Sequence, residues 1–224
     1  MEDHRDDSKG TKERYVYCVL SFRSSEVLKF AASRMRGRID SDLNALDELH
    51  SRVGWTPQST CVRPSNEQRE EKQRLLDNAS ARYLNSTRDY ILARIFHLPT
   101  RAATRSFTDQ RLTVDEKTLA AARQEALQRK DTDGGWKMEF VPNLFPYQVP
   151  DGTKHYVMWF LLDPDNPAHI PDEAIITKVV NSYLKDIVKT DNYEFVWYRN
   201  PKPTIEDGGL THHVQVFWRE VEPS

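Results

Sequence analysis

His155-Tyr156-Val157-Met158-Trp159-Phe160-Leu161-Leu162 decides the fold. From Lys154 onward neither alternate set of positions is polar, so both faces of this run seek cover. A strand at the centre of a sheet, packed on both sides, has that pattern. Upstream, Phe145-Pro146-Tyr147 stands among Pro142, Pro146 and Pro150, which hold the approach extended. Downstream, Asp163-Pro164-Asp165-Asn166-Pro167 turns the chain. Pro171 takes the first helical position, with Asp172 and Glu173 in the first turn. Ile176, Val179, Val180, Tyr183, Leu184 and Ile187 form one helical stripe. Lys185 and Lys189 suit its negative end. Tyr193 to Tyr198 and His212 to Trp218 are two further strands, separated by Asn200-Pro201-Lys202-Pro203 and Gly208-Gly209.

The order strand, helix, strand, strand predicts an α+β fold: a small sheet in the C-terminal half, with a helix on one face and the N-terminal half wrapped around it. Met1 to Arg14 is charged and is expected to be disordered. Residues 15–224 are read as one α+β domain, mainly helical over 15–135, with the sheet core over 136–219. Tyr15 to Leu20 fits a strand or a buried helix start, and Ser24 or Ser25 caps a segment through Val27, Leu28 and Phe30. Asp40-Ser41-Asp42 precedes Leu43, Leu46 and Leu49 on one helical face, ended by Gly54 and Pro57. Ser65-Asn66 caps a helix carrying Leu75, Leu76, Ala79, Tyr83 and Leu84. Thr87 caps the next, with Tyr90, Ile91, Ile95 and Phe96, and Pro99 stops it. Thr113 to Glu116 reads as a capping box for a helix holding Leu119, Ala122, Ala126 and Leu127.

Composition narrows the function. The 224-residue chain is 38% apolar and 29% charged, with net charge −2. No bulk field draws it to nucleic acid or anionic lipid. No apolar run reaches the roughly 18–20 residues of a membrane helix. Cys18 and Cys61 are too few for a disulfide scaffold or a thiolate zinc site, which fits a reducing, cytoplasmic or nuclear setting.

His155 opens one strand, and His212 and His213 open another. Were those strands neighbours, imidazoles would converge at one sheet end, a place for proton transfer or a metal. Tandem strand residues point to opposite faces, so His212 and His213 cannot both join one site. The alternating signature of the histidine-triad nucleotide hydrolases needs histidines two apart; Thr211 and Gln215 break it. Asp163, Asp165, Asp172 and Glu173 are acidic without a complete calcium loop, and read as turn and helix-start residues. Arg94, Arg101, Arg105 and Arg111 make a modest basic patch. Trp159, Trp197 and Trp218 are core, unless one is exposed as a stacking platform.

Four blocks together resemble a known family. They are Asn143-Leu144-Phe145-Pro146-Tyr147, Gly152 to Trp159, Tyr198-Arg199-Asn200-Pro201, and His213-Val214-Gln215-Val216-Phe217. They are similar to the N-D-W-P-Y, G-I-x-H-x-x-V-W, N-P and H-x-H-V-F blocks of the fungal and protist N-acetylglucosamine-induced protein 1 family. Tyr83-Leu84-Asn85-Ser86 and Asp89 to Leu92 agree loosely with its helical part. Phe145 stands where Trp is usual, the Asp after Asn143 is missing, and Thr211 replaces the first closing His. The resemblance implies a link to amino-sugar metabolism or signalling, and names no reaction and no cofactor. It points to Tyr147, His155, Asn200 and His213, with Trp159 in an aromatic wall, as a pocket for an amino sugar or sugar nucleotide. Two other readings stand beside it. One is a histidine-dependent or metal-assisted hydrolase or transferase; the other is a non-catalytic interaction module docking through its helical half.

Overall fold

The computed structural model of the chain describes residues 18–21, 44–59, 65–103, 110–129, 134–163, 170–189, 192–199 and 209–222. The expected disordered start, the segment capped at Ser24 or Ser25, and Asn200 with its neighbouring prolines lie outside those residues.

Strand β1 is Cys18–Ser21, and helices α1, α2 and α3 are Asn44–Val53, Asn66–Arg82 and Ser86–Arg94. A two-residue pair, β2 (Arg101–Ala102) and β3 (Leu112–Thr113), leads to α4, Glu116–Leu127. Then come β4 (Lys137–Pro142), β5 (Lys154–Leu161), α5 (Glu173–Val188), β6 (Tyr193–Tyr198) and β7 (Thr211–Glu220). The fold is α+β. The main sheet has the order β1-β6-β7-β5-β4, and every neighbouring pair is antiparallel.

Register sorts the side chains into two faces. His155 lies opposite Phe217, Val157 opposite Gln215 and Trp159 opposite His213. These residues share one face with Val196 and Tyr198 of β6 and Val141 of β4. Met158, Phe160, Val214, Val216, Phe195 and Trp197 occupy the other. That second face takes α5, whose Ile176, Val179, Val180 and Leu184 are buried against it. Trp197 is fully buried, and its Nε1 donates to Thr177 Oγ1 at 3.0 Å, so the indole brings no unpaired donor into the core.

The first face takes the N-terminal helices in two patches. Ile91 and Leu92 of α3 and Leu119 and Ala122 of α4 pack on Val157, Trp159 and Leu161. Leu46 and Leu49 of α1, with Trp55, pack on Val196, Tyr198 and Phe217. Thr153 Oγ1 donates to the Trp55 carbonyl at 3.0 Å, tying the turn after α1 to the base of β5. The double-sided apolar run of β5 therefore has the covering its composition calls for.

Local chemistry departs from the sequence reading at four places. Asp115, not Thr113, caps α4: its carboxylate accepts from the Thr118 N–H at 2.7 Å, while Thr113 is drawn into β3. Asp172 caps α5 by accepting from the Ile175 N–H, so Pro171 lies outside the helix. Helix α3 begins after Asn85 rather than at Thr87, and ends at Arg94 before Pro99. There the Phe96 N–H reaches Ile91 O and His97 enters the left-handed region at φ 54°. Strand β4 is the fourth. Met138-Glu139-Phe140-Val141 is too short to separate from an extended loop until β5 pairs with it.

Leu92 is 1% exposed and Leu184 is fully buried, on opposite sides of the sheet. Truncating either to alanine is expected to cost about 2–5 kcal/mol. Urea unfolding followed by tryptophan fluorescence checks this. A loss for Leu184→Ala with none for Leu92→Ala would contradict helical packing on both faces.

Candidate functional site

Between β4 and β5 the chain continues extended as a lip over the first face. From Val141 to Pro150 burial alternates: Val141, Asn143, Phe145, Tyr147 and Val149 turn inward, while Pro142, Leu144, Pro146, Gln148 and Pro150 are exposed. The three prolines fall on the outward positions, where their missing N–H groups remove nothing the protein needs. Asp151-Gly152 reverses the chain, with Gly152 at φ 82°, and the Thr153 N–H closes the turn on Pro150 O at 3.0 Å.

The lip is pinned by a polar network whose every orientation follows from two backbone N–H groups. Tyr147 N–H donates to His155 Nδ1 at 3.0 Å. A ring nitrogen that accepts carries no proton, so the proton is on Nε2. Nε2–H donates to Gln215 Oε1 at 2.7 Å. Phe145 N–H donates to Asn143 Oδ1 at 2.9 Å, which turns the Asn143 Nδ2 group to Gln215 Oε1 at 3.1 Å. Nδ2 and Nε2 stand 3.1 Å apart because they share that acceptor. The remaining group, Gln215 Nε2, has no protein partner among the described residues, although Gln215 is only 6% exposed.

Gln215 lines a cleft of about 190 Å³. Its walls are Leu75 and Leu76 of α2, Tyr90 and Ile91 of α3, the lip residues Asn143, Phe145 and Tyr147, and Val157, Trp159 and His213 of the sheet. The lining is mostly apolar, with a few polar groups set into it, as ligand sites are. His213 packs on Trp159 with centroids 4.6 Å apart and planes tilted by 31°. Below the lip Tyr147, His155, Phe217 and Tyr198 form a run of ring contacts. Tyr198 Oη donates to Tyr147 Oη at 3.0 Å, and burial pushes the Tyr147 hydroxyl pKa up.

Of the expected site residues, Tyr147, Trp159 and His213 line the cleft. His155 stands behind the lip with both ring nitrogens engaged. The expected convergence of histidines is not met. His155 and His213 share a face but lie four residues apart along the ladder, about 13 Å. His212 points to the opposite face, beside Phe160 at 6.1 Å. Among the described residues, no three of His, Cys, Asp and Glu gather as a metal site. Gln215 and Asn143 are the polar centre, and neither was a candidate from sequence. Gln215 becomes visible only once Val157 is known to sit opposite it.

The arrangement holds an imidazole neutral. Burial pushes the His155 pKa down to about 4, against the opposing hydrogen bond to Gln215. Burial, then Arg199 and His213, pushes His212 down to about 3. The unfolded chain takes up these protons from about pH 6.5 downward, and the folded chain does not until far lower. The stabilisation is complete above pH 6.5 and is lost as pH falls towards 4. It amounts to roughly 3 kcal/mol for His155. Urea midpoints measured from pH 7 to pH 4 should fall accordingly, and less steeply in His155→Phe. An equal decline in that variant would remove His155 as a cause.

No family model matches this chain, and no curated protein matches it. Among solved structures, a chain described as "Crystal Structure of HTC1" is similar over 80% of this chain and 83% of its own, with 14% identity and a TM-score of 0.36. Likeness at that level carries no argument about ligand or activity.

Proposed function

We propose that this protein binds a small, neutral, polar ligand in the cleft beneath the lip, and that the ligand is of monosaccharide size, such as an N-acetylated amino sugar. The observation that carries the reading is the Gln215 amide. Its oxygen is fixed by two donors, so its Nε2–H groups are presented as donors beside an open volume. That donor opens on the cleft and is within reach of water, so a ligand carbonyl or hydroxyl would take the place of water there. Trp159, Tyr90 and Tyr147 supply aromatic wall for the apolar side of a sugar ring. A cleft of about 190 Å³ lies below the ~300–1,000 Å³ of drug-sized sites, which favours a single ring over a whole nucleotide sugar inside it. Binding is favoured over hydrolysis because His155 accepts one hydrogen bond and donates another, leaving it no lone pair for general base work.

Calorimetric titration with N-acetylglucosamine, glucosamine and glucose tests the reading. The acetylated sugar is expected to bind best, since it adds a carbonyl acceptor and no charge. Gln215→Glu keeps an acceptor for His155 and Asn143 and removes the donor, so affinity should fall about tenfold or more. Absence of heat with every sugar, or an unchanged affinity in a folded Gln215→Glu variant, would overturn it.

A further inference from the structure

A second hollow, of about 420 Å³, runs between α2 and α3 and shares Leu75 and Tyr90 with the cleft. Its floor is aromatic and its rim basic. Arg74, Asn78 and Arg82 recur one turn apart on α2, so all three project on one side of the helix. Arg94 reaches in from α3, one turn beyond Tyr90. Glu71 is the single carboxylate of the lining. Four other cations are paired among the described residues: Arg88 with Glu116, Arg101 with Asp115, Lys137 with Glu139 and Arg219 with Glu194. Among the described residues, Arg74, Arg82 and Arg94 enter no ion pair; the Arg82 guanidinium rests over the Tyr83 ring, 5.8 Å from its centroid.

We infer that this groove is an anion subsite for the phosphoryl group of a small phosphorylated ligand whose neutral end occupies the cleft. Three guanidinium groups against one carboxylate leave a net positive lining, and guanidinium is the side chain best matched to phosphate oxygens. The two hollows adjoin along Leu75 and Tyr90. A ring under the lip would carry its substituent past Tyr90 to the arginines. The chain's net charge of −2 gives a long polyanion no general attraction, so a compact phosphate ester is the better fit. The anion subsite stands on its own residues, and only the placement of the neutral end rests on the cleft reading.

Three titrations at low salt decide it: inorganic pyrophosphate, N-acetylglucosamine, and N-acetylglucosamine 1-phosphate, each against the native chain, Arg82→Ala/Arg94→Ala and Gln215→Glu. The phosphate ester is expected to bind about tenfold tighter than the neutral sugar. The double arginine variant should lose that advantage and its pyrophosphate binding, with the neutral sugar unaffected. Gln215→Glu should retain pyrophosphate. Arginine-dependent pyrophosphate binding without any sugar binding would sustain the subsite and sink the cleft reading. Pyrophosphate binding that survives loss of both arginines would overturn the inference. So would an arginine-dependent affinity for a single-stranded oligonucleotide that pyrophosphate does not compete away.

Discussion

One hydrogen bond sets the chemistry of the site, from the Tyr147 backbone N–H to His155 Nδ1. A backbone N–H can only donate, so the imidazole must accept there, and its proton is forced to Nε2. From that point no freedom remains: Gln215 must offer its oxygen, and its amide nitrogen must face the opening. A buried network of this kind is worth having only when each internal member is satisfied. The one group left over, Gln215 Nε2, belongs to a residue that lines the cleft. The network also joins three segments far apart in sequence. The lip is held by its own backbone to a histidine of β5, and through Gln215 to β7.

The cleft itself follows from packing. Helix α5 covers one face of the sheet along its stripe, whereas the other face is shared by separate helical patches. Two patches on a twisted sheet do not tile it without a gap, and the gap falls where β5 and β7 carry Val157, Trp159, His213 and Gln215. The lip spans it from one side and the α2–α3 pair from the other. Wall residues such as Leu75, Leu76 and Tyr90 are half-buried because they border this opening rather than the core.

Much of the architecture is legible in residue order. The double-sided run at 154–162, the stripe from Ile176 to Leu184 and the strand at 193–198 all fall where their patterns place them, because each is settled by one element's own periodicity. What is not legible depends on partners. Strand β4 needs β5 beside it. The cap of α4 moves from Thr113 to Asp115 because Thr113 is claimed by a strand pair with Arg101. Leu127 fits a helical stripe yet is exposed, at the last residue of α4. Leu84 falls beyond α2, which ends at Arg82 because Tyr83 turns extended and bridges to Leu112. The site follows the same division. Tyr147, Trp159 and His213 stand out as two aromatics and an imidazole in or beside apolar runs. Gln215 does not, because its importance comes from diagonal register across two strands and from a tautomer fixed eight residues before His155.

Strand β4 is the last member of the sheet on its side, and its outward edge would ordinarily invite another chain to add a strand. Pro142 withholds a donor at the end of that edge, and Pro146 and Pro150 extend the interruption along the lip. The same residues that keep the lip straight therefore discourage polymerisation by edge pairing. A segment that borders an open cleft is in this way kept from becoming a template for aggregation.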